Sequence, residues 1–397
     1  MTSTSGDATP PPPGASAELA RRFAPTLVPA GNERSVTADQ TNRSVVVDES
    51  VIVKWFVSRV PVPHPGIRVL KHLAAVGFTE MPEFFAAEVA DGHVLASVSE
   101  YVYGALDGWD WFVEDLVAAT EQGAREPANA FQGGATLLSS ARALGSLAGR
   151  MHLALSTPSA VIHEPVTAVD PAVELSRCVS LLDEAAAVVD GAAADVLRAR
   201  TSQIGAVFTD ALSTVSANSA AAEASSCDTP AILLHGDLHV GQMLRSGERL
   251  VVTDFDGNPL LGHGQRHLPR PAAVDVASLV QSIDHAGRVA QRQRPERAIE
   301  LETLIGDAKA AALAAYRTAL DNAGCSSLFD DRLLPALQVA QELHELVYAA
   351  RHLPHWAYAP AATLRSMFPG PDAATSVRTY LGDDQEVEQS GSSGIQS

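Results

Sequence analysis

The apolar positions of this chain change their period once, near residue 103. Before that point they fall in short β-branched runs over residues 34–38, 44–47 and 51–57. The breaks between them are Asp39-Gln40-Thr41-Asn42-Arg43 and Asp48-Glu49-Ser50. β-Branched runs separated by turns predict an antiparallel meander. A short helix is expected over 17–23, stopped by Pro25, and another over 65–76, with Pro65 early and Gly77 as its stop. Residues 94–102 read as a further strand, followed by Gly104 and a break in the pattern.

From Trp109 onward the period is helical. Helices are expected over 110–122, 135–155, 172–189, 192–215, 274–289, 300–320 and 333–353. The second carries Leu137, Leu138, Ala141, Leu144, Leu147, Ala148, Met151 and Leu155 along one side. Residues 216–228 are rich in alanine and serine and lack large apolar anchors, which predicts a mobile loop. The expected organisation is a disordered start over 1–15, a β-rich lobe over 16–103, a helical lobe over 104–380 and a disordered acidic tail over 381–397.

One stretch interrupts the helices. Leu233-Leu234-His235-Gly236-Asp237-Leu238-His239-Val240-Gly241-Gln242 reads as an apolar strand running into a polar loop. Leu250-Val251-Val252-Thr253-Asp254-Phe255-Asp256 reads as a short strand and a second, acidic loop. A hairpin that joins the loops sets out the parts of a phosphoryl-transfer site. Asp237 can orient an acceptor hydroxyl and take its proton late in transfer. Magnesium prefers oxygen ligands, and Gln242, Asp254 and Asp256 offer an amide oxygen and two carboxylates. Each motif alone also fits an ordinary turn, since Gly and Asp are common in turns. The three oxygen ligands and the strands on both sides favour the site. His235 is expected to pack and bond loop backbone, and His239 to lie nearer the chemistry.

Lys54 lies inside Val51-Ile52-Val53-Lys54-Trp55-Phe56-Val57. Taken alone it reads as a solvent-facing lysine on an alternating strand. With the acidic loops downstream it reads as a lysine reaching nucleotide phosphates. The helix over 65–76 has no glutamate to anchor it, so its partner is open. Backbone groups near Glu100 and Val102, where a strand meets a linker, are candidates for adenine.

Composition narrows the partners. The chain has 397 residues, enough for two lobes, with 46% hydrophobic residues and a net charge of −19. Such acidity argues against nucleic acid or an anionic membrane as partner. Three scattered cysteines, Cys178, Cys227 and Cys325, form no disulfide or zinc pattern and fit a reducing cytosol. No secretory signal or membrane-spanning run is visible, and a cytoplasmic protein, monomeric or weakly dimeric, is expected.

These residues resemble the aminoglycoside phosphotransferase-like kinases, whose two-lobed α+β fold is that of protein kinases. The resemblance rests on His235-Gly236-Asp237-Leu238-His239-x-x-Gln242 and Asp254-Phe255-Asp256. Glu100-Tyr101-Val102-x-Gly104-x-x-Asp107-Gly108-Trp109, Met151-His152-Leu153-Ala154-Leu155, Asp275-Val276-Ala277 and Tyr348-x-x-Arg351-x-x-Pro354-x-Trp356 bring it closer to bacterial maltokinases. It implies ATP and Mg²⁺, with Asp237 catalytic, Gln242 and Asp254 on magnesium, Lys54 on phosphate, and Thr41, Asn42, Arg43 and Ser44 in a loop above the phosphates. Asp256 departs from the glycine of protein kinases.

Gln341, Glu342 and Glu345, ahead of Trp356, resemble the maltokinase-like glucosamine kinases of actinobacteria. On spacing alone the three polar residues fit a solvated helix face. The resemblance makes them, with His239, an acidic pocket for a sugar ammonium, with Trp356 against the ring. It implies transfer to the 6-hydroxyl of glucosamine. A maltose 1-kinase, an aminoglycoside kinase and a nucleotide-binding pseudokinase remain as rival readings.

Overall fold

The computed structural model describes residues 11–36, 42–125, 130–221, 228–258, 261–266 and 268–370. Helix α1 (Ala15–Phe23) leads into strands β1 (Glu33–Val36), β2 (Arg43–Val47) and β3 (Val51–Pro61). Helix α2 (Pro65–Ala75) separates these from β4 (Phe84–Ala90) and β5 (His93–Glu100). The five strands form one antiparallel sheet in the order β1-β2-β3-β5-β4. The alanines and the glutamate of β4, and its half-exposed pattern, hid this edge strand from the sequence reading.

Side chains alternate along β3. Val51 and Val53 are 0% exposed and pack with Ala17, Leu19 and Ala20 of α1. Lys54 therefore points to the opposite face, which overlooks the large lobe. The register Arg43↔Trp55 and Ser44↔Lys54 places Arg43 and Ser44 inside β2. The expected phosphate loop is correspondingly shorter, because β-branched pairing of Val45, Val46 and Val47 carries the strand back to Arg43. Asn42 precedes the strand, and Thr41 lies outside the described residues.

Helix α2 belongs to the large lobe's core through Val69 and Leu73. Its buried His72 bonds Ser159 Oγ at 2.7 Å and the Leu155 carbonyl at 3.3 Å. After β5 the chain crosses to α3 (Gly108–Arg125), α4 (Ala130–Leu155), β6 (Thr167–Val169), α5 (Pro171–Val188) and α6 (Gly191–Ala221). Residues 216–221, expected in a loop, continue α6, since alanine is the strongest helix former and extends a helix without large anchors. The remainder of the expected loop, 222–227, lies outside the described residues. Then come β7 (Thr229–Ile232), the hairpin β8 (Met243–Ser246) and β9 (Arg249–Val252), α7 (His263–Arg266) and β10 (Arg270–Pro271). Helices α8 (Ala273–Gln293), α9 (Ala298–Asn322), α10 (Leu334–His352) and α11 (Tyr358–Met367) complete the lobe. Among the described residues no helix is long and apolar enough to cross a membrane.

The linker after β5 is tied to β8 where Leu106 and Arg245 exchange backbone hydrogen bonds of 3.0 and 2.9 Å. Arg249 adds a bidentate ion pair to Glu100. Behind the site, α4 and α9 approach through Gly145, where a Cβ would lie 1.9 Å from the Ala312 carbonyl oxygen. Backbone cannot yield as a flexible side chain does. Gly145→Val is expected to destabilise the protein by about 1–3 kcal/mol through overpacking. The drop should appear as a lower urea midpoint; an unchanged midpoint contradicts the close packing.

Candidate active site

The two loops follow β7 and β9, the first strand ending at Ile232, just before the Leu233-Leu234 pair that reads as strand in the sequence. Asp275, in the first turn of α8, accepts the N–H groups of His235 and Gly236 at 2.9 Å each. His152 Nε2 lies 3.2 Å from the same carboxylate, and its Nδ1 lies 2.8 Å from the Tyr316 hydroxyl. Burial opposes ionisation of Asp275, but His152 and the two amides hold its carboxyl below the usual range. His235 spans both loops: its Nδ1 accepts from Asp237 N–H at 3.3 Å and its Nε2 reaches the Thr253 carbonyl at 2.7 Å. Asp237 is thus fixed against the acidic loop.

Lys54 reaches down from β3 to Asp254 at 2.8 Å and Asp256 at 2.9 Å. The partner left open by the sequence is therefore this pair of carboxylates. Burial works against the Lys54 charge, yet the two aspartates raise its pKa above the ordinary lysine value. Burial likewise opposes ionisation of Asp254, and Lys54 outweighs it, holding that carboxyl below its ordinary value. Asp254 has a left-handed backbone with φ 60°, uncommon without glycine. Gln242 lies beside this group: its carbonyl accepts Thr253 N–H at 2.8 Å, and its Nε2 lies 3.3 Å from His239 Nε2. That orientation leaves Gln242 Oε1 as the amide's candidate metal donor.

Oxygen donors alone suit magnesium, which binds one or two carboxylates and completes its shell with phosphate and water. Among the described residues no group of three His, Cys, Asp or Glu side chains is arranged to hold a metal. An ion shared between protein and nucleotide needs no such cage.

A cavity of about 420 Å³ opens beside Asp237, lined by His239, Gln341, Glu345, Trp356 and Trp109 among others. Gln341 Nε2 donates to Glu345 Oε1 at 3.2 Å, and Trp356 Nε1 donates to Glu345 Oε2 at 3.0 Å. Trp109 stacks on His239 with centroids 5.7 Å apart and meets Trp356 edge-on at 5.8 Å. Burial pushes the His239 imidazole down to about 4, so it is neutral near pH 7. A second cavity of about 470 Å³ reaches Asp237 from the side of Arg177, Arg270 and Arg351.

Two expected residues lie elsewhere in role. Glu342 is 0% exposed and faces α8, where it accepts from Gln281 Nε2 at 2.6 Å and contacts His285 Nε2 at 2.9 Å. One residue turns a helix by about 100°, so Glu342 cannot share the open face of Gln341 and Glu345. Burial opposes the His285 charge, and Glu342 nevertheless holds that imidazole above its ordinary value. Glu100 donates its N–H to the Glu83 carbonyl at 2.8 Å and pairs its side chain with Arg249, so it braces the lobes. Val102, in the linker, accepts from Ala105 N–H at 3.3 Å. Asp275 and Trp109, which stood only in the family-like motifs, were given no role by the sequence reading. A buried-helix aspartate and an aromatic after a glycine were the available signals.

Asp237 is the costly member. Burial, with Asp254, Glu345 and Asp275 nearby, pushes its carboxyl up to about 8. Between about pH 4 and pH 8 the unfolded chain has released a proton that the folded one keeps, so stability falls as pH rises across that window. Asp237→Asn removes this burden. Its thermal midpoint is expected to exceed the parent's at pH 8, by a margin that shrinks toward pH 4. An equal margin at both pH values contradicts the raised carboxyl.

No protein-family model matches the chain. It is 41% identical to a glucosamine kinase of Streptacidiphilus jiangxiensis over 351 residues, covering 86% of this chain and 74% of that one. It is 34% identical to a glucosamine kinase of Mycolicibacterium smegmatis over 343 residues, covering 85% of this chain and 80% of that one. Among solved structures it is similar to a glucosamine kinase in complex with glucosamine, ADP and inorganic phosphate. That likeness has a TM-score of 0.70 and 38% identity, and covers 86% of this chain and 77% of that one.

Proposed function

The chain belongs to the glucosamine kinases, and from that premise we propose that it transfers the γ-phosphoryl of ATP to the 6-hydroxyl of glucosamine, releasing ADP and glucosamine 6-phosphate. The observation that carries the substrate is the cavity in which Glu345, Gln341 and Trp356 face Asp237. An ammonium complements Glu345, and a neutral His239 does not repel it. In the pyranose ring, C2 and C5 lie opposite each other. An amine at C2 held by Glu345 directs the exocyclic C6 hydroxyl away from it, toward Asp237. Trp356, fixed by its bond to Glu345, offers a flat wall to the ring.

The proposed roles follow from placement. Asp237 orients the 6-hydroxyl and accepts its proton as the O–P bond forms. Lys54 turns from Asp254 to the phosphates when nucleotide enters, and Asn42 reaches over them from the β2 side. Gln242 and Asp254 are the residues to hold Mg²⁺, which when bound neutralises charge on the transferring phosphoryl. Adenine falls to the linker around Val102.

Asp237→Asn is expected to lower turnover by roughly 10²–10⁴, the range of general-base assistance. Glu345→Gln should raise the KM for glucosamine by roughly 10- to 100-fold, as for loss of a charge-assisted bond. It should leave weak turnover of uncharged glucose little changed. A panel of glucosamine, glucose, maltose and aminoglycosides, read by ADP release, measures both. Preference for maltose or an aminoglycoside in the parent overturns the glucosamine assignment.

A further inference from the structure

In protein kinases the phosphate-binding lysine is anchored by a glutamate on the helix after its strand. Here that helix, α2, reads Pro-Gly-Ile-Arg-Val-Leu-Lys-His-Leu-Ala-Ala and carries no acid. It is also docked on the large lobe, through Leu73 and the buried His72. What α2 presents to the cleft is its N-terminus. A Cβ on Gly66 would lie 2.7 Å from Asp256 Oδ1 and 2.7 Å from the Phe255 carbonyl oxygen. Only glycine lets the acidic loop lie so close.

The two carboxylates of that loop are placed differently. Asp256 Oδ2 lies 2.9 Å from Lys54 Nζ and 3.4 Å from Asn42 Nδ2, while its Oδ1 rests against the first turn of α2. A helix N-terminus carries partial positive charge, so this carboxylate meets protein groups of favourable sign on both oxygens. Its backbone carbonyl accepts from Arg266 Nη1 at 3.3 Å. Asp254 gives one oxygen to Lys54, and its side chain is 40% exposed against 21% for Asp256. A metal shared with nucleotide and water needs lone pairs directed at open space, and Asp254 supplies them.

The geometry points to Asp256 as the positioning residue for Lys54, replacing the helix glutamate, with magnesium left to Asp254 and Gln242. This rests on the kinase reading of the same site and revises the role of Asp256 as a second metal ligand. Asp256 joins Lys54, Asn42 and the start of α2, so it fixes the small lobe's phosphate-contacting groups against the large lobe's loop.

Two measurements test it on the full chain. The first is ADP binding by calorimetry, with Mg²⁺ and with EDTA. The factor by which magnesium tightens ADP should fall by roughly tenfold or more in Asp254→Asn, and stay within about twofold of the parent in Asp256→Asn. The second is a cycle in kcat with Lys54→Met. Asp256→Asn alone should slow turnover by roughly 10- to 100-fold, and the double variant should be within about twofold of Lys54→Met alone. Gly66→Ala, which displaces the same carboxylate, should behave as Asp256→Asn. Collapse of the magnesium factor in Asp256→Asn, or losses that multiply in the double variant, overturns the assignment. A parent that binds no ADP removes the kinase reading and this assignment with it. A wrong acceptor assignment leaves the ADP measurements unaffected.

Discussion

Asp275 is 1% exposed, and its carboxylate takes the backbone N–H groups of His235 and Gly236 at 2.9 Å each. A charge this deep is tolerable only when fully bonded. His152 from α4 completes the shell, and Tyr316 from α9 fixes His152. Loop, α4, α8 and α9 therefore share one polar knot inside an apolar core. Both loops hang from it: His235 reaches the Thr253 carbonyl, and Thr253 N–H returns to the Gln242 carbonyl. The two loops cannot shift separately without breaking these bonds.

That rigidity is what makes the acidic cleft possible. Asp237, Asp254, Asp256 and Glu345 repel one another at close quarters, and a loose loop would relax by moving them apart. Held in place, they respond through ionisation. Asp237 keeps its proton to about pH 8, and Lys54 is drawn between Asp254 and Asp256. The cleft is short of positive charge. The ammonium of an aminosugar brings one, so its binding and the readiness of Asp237 to accept a proton favour each other.

The kinase character was legible because it sits in short local motifs flanked by strands. His235 to Gln242, Asp254 to Asp256 and Lys54 all fall where alternation and turn chemistry put them. The bonds that give those residues their roles run across great sequence distance. Lys54 meets Asp254 across the lobes, and Asp275 meets a loop from another element. No periodicity carries such pairings. Glu342 failed for a simpler reason: three polar residues on α10 looked like one face, but a helix divides neighbours in sequence between faces. Arg43, read as the end of a turn, lies in β2 because strand pairing extends one residue past the turn signal.

That division also sets what α10 presents to the cavity. Gln341 and Glu345, one turn apart, look into the cavity and bond each other. Glu342, between them in sequence, looks inward and bonds His285, whose ring meets Trp356 edge-on at 5.8 Å. Trp356 in turn donates to Glu345. The inward acid thus supports the aromatic wall, while the outward acid lines the cavity. An acidic surface of net charge −19 attracts any cation without discrimination. Selection needs a carboxylate at a fixed distance from Asp237 with a flat wall beside it. Helix α10 supplies the carboxylate, and the turn that follows it supplies Trp356, braced through His285 and Glu345.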